Sequence, residues 1–159
     1  MYLDRKYSYR RTLPHLTKSD HPIFVTFTTY KRWSIPETAR GIVLDCCLQS
    51  HQVEIDLHTL VVMPDHVHLV FIPLRNAEGW SRSLPQILRL IKGRSARLLN
   101  KSLGRTGPVW QDESFDHVLR SNESLEEKMD YICQNPVRAG LVARPADYPG
   151  LWRSDVPAL

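Results

Sequence analysis

The chain is 159 residues long, enough for one domain with an ordinary hydrophobic core, and 42% of its residues are hydrophobic. No apolar run approaches the length of a membrane span and the N-terminus lacks the apolar stretch of a signal peptide, so we expect a cytoplasmic protein. The formal net charge is +4, and Lys and Arg crowd the start and the middle of the chain, which makes phosphate a natural partner. We expect a single domain over residues 1–159, with a basic N-terminal segment at about 1–20 and a C-terminal tail at about 145–159.

The first two predicted elements are a strand and a helix. Residues 23–29 are rich in β-branched and aromatic side chains, which favours a strand. Pro36 is a good first helical residue, and helical spacing then continues to about Ser50 through Ala39, Ile42, Val43, Cys46 and Cys47. The chain's three cysteines have no CxxC spacing, so we expect the two on this helix to be buried free thiols.

A hairpin follows the first helix. Residues 57–63 are predicted as one strand, Pro64 and Asp65 as a tight turn, and residues 66–74 as the returning strand. The returning strand carries apolar side chains at both alternating sets of positions. We therefore expect it to be covered on both faces and to lie in the centre of a sheet.

Two histidines stand at the start of this returning strand. Because side chains alternate along a strand, His66 and His68 project from the same face, with Cα atoms roughly 6.5 to 7 Å apart. Two imidazoles at that separation can reach one metal ion, so the pair indicates metal-assisted chemistry. The alternative is structural, with each ring hydrogen-bonded to a neighbouring carbonyl.

The next two elements complete the sheet. A second helix is predicted from about Ser83 to Asn100, with its core-facing stripe at Leu84, Ile87, Leu88, Ile91, Ser95 and Leu98 and a basic outer surface. A further strand region spans 109–120. The order β-α-β-β-α-β predicts the α+β class and a ferredoxin-like antiparallel sheet with both helices on one side. The other face then needs a cover.

A third helix is the candidate cover. Ser124 and Glu127 form a predicted capping box, and the helix is expected to run to about Gln134, with an end or kink before Pro136. Tyr131 and Asn135 are one turn apart on its flank and can face one target. Each also has an ordinary explanation, Tyr131 as a packing residue and Asn135 as a helix cap.

Three segments in this order, MPDHVHLV, VWQDESFDHVLR and YICQNPVRAGLV, resemble the HUH single-tyrosine transposases, and specifically the REP-associated tyrosine transposases. The resemblance extends over nearly the whole chain. It implies that His66 and His68 bind a divalent metal ion, Mg²⁺ or Mn²⁺, that Tyr131 is the nucleophile, and that Asn135 supplies a third ligand. Lys128, three residues before Tyr131 on the same flank, is placed to help form the phenolate.

The activity that this resemblance implies is a metal-dependent single-stranded DNA endonuclease and strand transferase. Its substrate would be hairpin-forming DNA, typically extragenic palindromic repeats, and its intermediate a 5′-phosphotyrosine. Related transposases can be homodimers, which leaves the oligomeric state open. The basic residues expected to hold phosphates, with solvated surface charge as the alternative, are Arg5, Lys6, Arg10, Arg11, Arg89, Lys92, Arg94 and Arg97.

Two other functions stay open. In the first, the chain is a non-catalytic ferredoxin-like nucleic-acid-binding protein whose histidines are structural. In the second, it is a metal-dependent hydrolase that uses water as the nucleophile, so that the histidines are needed and Tyr131 is not.

Overall fold

The computed structural model describes residues 21–120 and 122–154, apart from the side chains of residues 122–124. The basic segment at 1–20 and residues 155–159 lie outside this range. The DNA contacts predicted at Arg5, Lys6, Arg10 and Arg11 fall in that segment and stay predictions.

The described residues form five strands and three α-helices. In chain order they are β1 (Ile23–Thr29), α1 (Arg40–Ser50), β2 (Ile55–Val62), β3 (His66–Pro73), α2 (Leu84–Leu103), β4 (Trp110–Val118), α3 (Asn122–Arg138) and β5 (Leu151–Arg153). All strands join one antiparallel sheet in the order β4-β1-β3-β2-β5. The predicted ferredoxin-like α+β fold with an added helix is therefore confirmed.

Strand β3 is central, as its two-sided apolar sequence predicts. Val67 and Leu69 pack into a large core that also contains residues of α1 and α2, whereas Val70 packs into a smaller core with Ile132 of α3. Both histidines of β3 share the parity of Val70. Side-chain alternation therefore directs them to the face covered by α3, away from α1 and α2.

Helix α2 covers the large core. It begins with a capping box in which Ser83 Oγ accepts from the Gln86 N–H while Gln86 Oε1 accepts from the Ser83 N–H. Leu99 is buried in place of the predicted Leu98, because it continues the i, i+4 row of Ile91 and Ser95. Although α2 has 20 residues, none of the described helices is both long and apolar enough to cross a membrane.

Helix α3 differs from its prediction at both ends. It begins at Asn122, so Ser124 lies inside the helix and the predicted capping box is wrong. It also continues past Pro136, because a proline in the last turn removes only one intrahelical hydrogen bond. The helix ends at a Schellman motif, in which the N–H groups of Leu141 and Gly140 donate to the carbonyls of Pro136 and Val137, with Gly140 at φ 73°.

The segment predicted as a C-terminal tail contributes a fifth strand. Leu151–Arg153 pairs with β2, and the Tyr148 hydroxyl donates to the Val62 carbonyl at 2.6 Å in a buried position. A side chain at Gly150 would place its Cβ 2.8 Å from the Val62 oxygen, so glycine lets the two segments approach. Arg153 then reaches across to α3. The sequence signal was weak because the strand is three residues long.

We expect Ser95→Ala to lower the free energy of unfolding by about 1–3 kcal/mol, because the buried Trp110 Nε1–H loses the Ser95 hydroxyl oxygen that accepts from it at 2.9 Å. Chemical denaturation measures this change. Ser102→Ala, an exposed serine on the same helix, is the matched control and should change stability by less than ~0.5 kcal/mol. Equal effects of the two variants would contradict the assigned role of the Ser95 hydroxyl.

Candidate functional site

The two histidines of β3 lie side by side on the α3 face of the sheet. Their ring centroids are 4.7 Å apart with an angle of 69° between the planes. His68 is buried, with 8% of its surface exposed, and its ring stacks on Phe24 of β1 at 5.5 Å. The two histidine side chains thus project from the same face of the sheet, as predicted from the alternation of side chains along a strand.

Each imidazole is held through its Nδ1 atom. His68 Nδ1 lies 2.7 Å from Thr26 Oγ1, its cross-strand partner on β1, and His66 Nδ1 lies 2.8 Å from Asp65 Oδ1. When Nδ1 donates its proton to such a partner, Nε2 carries the lone pair. Nε2 is then the atom that can bind a cation, an arrangement usual for metal-ligating histidines.

His68 is neutral at physiological pH. Burial lowers the pKa of His68 from its ordinary value of 6.5 to about 3, and the nearby His66 and the cations of Arg138 and Lys128 act in the same direction. A neutral imidazole can act as a ligand without first losing a proton.

Tyr131 of α3 faces this pair from the opposite layer. Its ring centroid lies 6.0 Å from that of His68, and 45% of its surface is exposed, so the phenol is accessible. Lys128 Nζ lies 5.4 Å from the Tyr131 ring centroid and 4.8 Å from that of Phe24. Arg138 stacks its guanidinium 4.2 Å from the same Tyr131 ring and donates to the Tyr131 carbonyl at 2.7 Å. The structure thus brings a phenol, two imidazoles and two cations together.

Asn135 lies one helical turn after Tyr131 and is half-buried. It stands inside α3, where its carbonyl accepts from the Ala139 N–H, so the alternative role as a helix cap is wrong. Across the described ranges, no three His, Cys, Asp or Glu side chains are grouped to hold a metal. The Asn135 side chain carries an amide oxygen, a type of atom that can bind a divalent cation.

The basic residues of α2 are not brought to this site, because α2 packs on the other face of the sheet. Arg89 and Arg97 are exposed there and Arg94 is half-buried. Arg89 and Lys92 line a cleft of about 480 Å³ between α2 and the start of β4. The Lys92 ammonium donates to the Gln111 carbonyl at 2.6 Å, and burial lowers the pKa of Lys92 to about 8. Lys92 is thus engaged with the protein's own backbone.

Sequence reasoning does not identify several side chains of this site, among them Thr26, Arg138 and Asp65. Thr26 contacts His68 through the strand register, which the sequence of either strand alone does not reveal. Arg138 is seven residues from Tyr131, and its long side chain folds back over two turns. The sequence predicts Asp65 as a turn residue, and a carboxylate next to a candidate ligand histidine also signals an anchoring role.

The chain is similar to one family model and to two curated proteins, all of which are described as transposases. A family model described as "Transposase IS200 like" matches residues 21–135. A protein of Haemophilus influenzae described as a REP-associated tyrosine transposase is 28% identical over 57% of this chain. The REP-associated tyrosine transposase of Escherichia coli K12 is 24% identical over 59% of it. The chain aligns with about half the length of these curated relatives, 54% and 52% respectively.

The fold has a solved counterpart. The structure of a REP-associated tyrosine transposase bound to a REP hairpin superposes with a TM-score of 0.66 at 20% identity. The superposition covers 83% of this chain and 76% of the other. At that level of identity, the likeness establishes a shared fold.

The buried neutral His68 predicts a pH dependence of stability. Because folding lowers the pKa of His68 from 6.5 to about 3, its contribution is complete above pH 6.5 and falls as the pH drops toward 3. Denaturation at several pH values in EDTA should show a loss of about 1 kcal/mol per pH unit that disappears in His68→Gln. His117→Gln, an exposed histidine on β4, is the control and should keep the wild-type slope. An unchanged slope in His68→Gln would contradict the assignment.

Proposed function

This chain belongs to the family of IS200-like transposases, and we therefore propose that it is a metal-dependent single-stranded DNA endonuclease and strand transferase acting on hairpin-forming repeats. The observation that carries the proposal is the accessible Tyr131 ring 6.0 Å from the ring of His68, which in turn lies beside His66. A nucleophile and a pair of anchored imidazoles in one place suit an attack on phosphorus.

The proposed reaction uses the Tyr131 oxygen as the nucleophile. The phenol loses its proton, Oη bonds to the scissile phosphorus, and the bond from phosphorus to the 3′-oxygen breaks. The leaving 3′-oxygen takes up a proton to give a free 3′-hydroxyl, and the 5′-phosphate stays on Tyr131. Lys128 and Arg138, both next to the Tyr131 ring, place positive charge where the phenolate and the phosphate come together. Attack by a 3′-hydroxyl on the phosphotyrosine reverses these bonds and rejoins DNA without a nucleotide cofactor.

The residues present fit a divalent cation. His66 and His68 have Nδ1 engaged and Nε2 available, and Asn135 offers an amide oxygen one turn from Tyr131. These two nitrogens and one oxygen would hold such an ion and would leave room for water and for the substrate phosphate. When bound, such an ion supplies a Lewis acid that polarises the scissile phosphate.

Hairpin DNA is the proposed partner because a protein of the same fold was solved bound to a REP hairpin. In this chain Arg89 and Arg97 lie exposed on α2, across the sheet from Tyr131. Phosphates held there would fix the DNA without reading its sequence, and the strand to be cut would reach the histidine face. Hairpin-forming repeat DNA is therefore the substrate to test.

We expect Tyr131→Phe to form no covalent protein–DNA adduct with labelled single-stranded repeat DNA and Mn²⁺, because the ring and its packing remain while the attacking oxygen is removed. Denaturing gels measure the adduct, and gel shift measures DNA binding, which should be retained. Tyr30→Phe, a similarly exposed tyrosine, is the control and should form the adduct normally. Cleavage by Tyr131→Phe without an adduct would instead identify water as the nucleophile.

We expect Asn135→Leu to raise the Mn²⁺ concentration needed for half-maximal cleavage at least tenfold, whereas Asn135→Asp stays close to wild type because it keeps an oxygen at this position. Metal titrations of the cleavage rate measure the effect. Gln134→Leu, an exposed neighbour on α3, is the control. Wild-type metal dependence in Asn135→Leu would leave the two histidines as the proposed protein ligands.

A further inference from the structure

A strained turn follows β1 next to the histidine pair. In the 3₁₀ turn Tyr30–Arg32, Lys31 has φ 51° and Arg32 has φ 56°. Both residues therefore occupy the left-handed region, which is unfavourable for any residue with a Cβ. Two such residues in succession persist only where the surroundings impose them, and strain of this kind concentrates at functional sites.

The surroundings that impose this turn include the backbone of the β2–β3 hairpin. The N–H of the buried Thr29 donates to the Asp65 carbonyl at 2.9 Å, and Thr29 Oγ1 lies 2.6 Å from the Trp33 carbonyl oxygen and 3.1 Å from that of Asp65. On the other side, the Tyr30 N–H donates to the Val109 carbonyl at 2.8 Å. The turn and the residue before His66 are thus held against each other.

The turn places the side chain of Arg32 next to Asp65. Arg32 Nε lies 3.2 Å from Asp65 Oδ2, while the other carboxylate oxygen, Oδ1, lies 2.8 Å from His66 Nδ1. The Asp65 carboxylate thus bridges a guanidinium and an imidazole. With 63% of the Arg32 side chain exposed, the ion pair by itself contributes little stability and does not account for a strained backbone. The effect of this ion pair is to orient the Asp65 carboxylate.

We propose that Arg32 is a positioning residue that acts on His66 through Asp65. By occupying Oδ2, Arg32 fixes the rotation of the carboxylate so that Oδ1 accepts the His66 Nδ1 proton. That bond holds the imidazole in one tautomer and orientation, with Nε2 as its lone-pair atom. The binding of a metal ion by His66 Nε2 rests on the proposed function. The orientation of the His66 ring by Asp65 and Arg32 does not.

The test compares Arg32→Met, Arg32→Lys and Lys31→Met in the full chain. Methionine keeps an unbranched stem but no charge, lysine restores a charge near Asp65, and Lys31→Met changes the other left-handed residue of the turn, for which no contact with Asp65 is present among the described residues. Two readouts are used. Proton NMR of the metal-free protein follows solvent exchange of the His66 Nδ1 proton, and calorimetry follows Mn²⁺ affinity.

We expect Arg32→Met to speed exchange of the His66 proton at least tenfold and to weaken Mn²⁺ binding by about 10–100-fold, with the melting temperature close to that of Lys31→Met. Arg32→Lys should recover part of both effects, and Lys31→Met should match wild type. Wild-type exchange and affinity in Arg32→Met, or equal losses in Lys31→Met, would overturn the inference. A wild-type protein that binds no Mn²⁺ would refute the proposed metal dependence, while proton exchange would still decide the role of Arg32.

Discussion

The side chains of residues 67–71 of β3 are buried between two packed layers, because the strand has neighbours at both edges and helices over both faces. One set of alternating side chains fills the core under α1 and α2, and the other set faces α3. The buried His68 in the second set needs a partner within the protein, since little water reaches it. Thr26 supplies that partner for His68, and Asp65 supplies it for His66 at the strand's entrance. The position of the two histidines on β3 therefore accounts for the presence of Thr26 and Asp65 at the site.

Much of the fold follows from local sequence pattern. Strand β1 has the predicted bounds, and the two-sided apolar pattern of residues 66–74 correctly indicates a central strand. These features depend on periodicity within one segment. Strand β5 was missed because its three residues are held by Gly150 and by the buried Tyr148 hydroxyl, contacts made with distant β2. Helix α3 continues past Pro136, against the prediction, because its end is set by the Schellman motif at Gly140 and Leu141.

The candidate site likewise has residues that local sequence spacing predicts and residues that it does not predict. The shared face of His66 and His68 follows from strand alternation alone, and the common flank of Tyr131 and Asn135 follows from helical spacing. Which groups orient these side chains does not follow from such spacings. Arg32 reaches the site through a backbone conformation that no residue type at that position signals, and Thr26 reaches it through cross-strand register. Anchoring residues belong to tertiary structure, whereas candidate ligands and nucleophiles can be read from short motifs.

The ion pairs of Arg153 also have an entropic consequence. Its guanidinium binds Glu126 at 3.0 Å and Asp130 at 2.9 Å, which ties the first half of α3 to the sheet edge, while Ile132 anchors the helix in the smaller core. Tyr131 lies between these attachments, so its backbone is held against the sheet that carries the histidines. Under the proposed function, the phenol oxygen then reaches the scissile phosphate by rotation about the side-chain bonds of Tyr131. In the proposed reaction, a phenol restricted in this way loses little further freedom when the substrate binds.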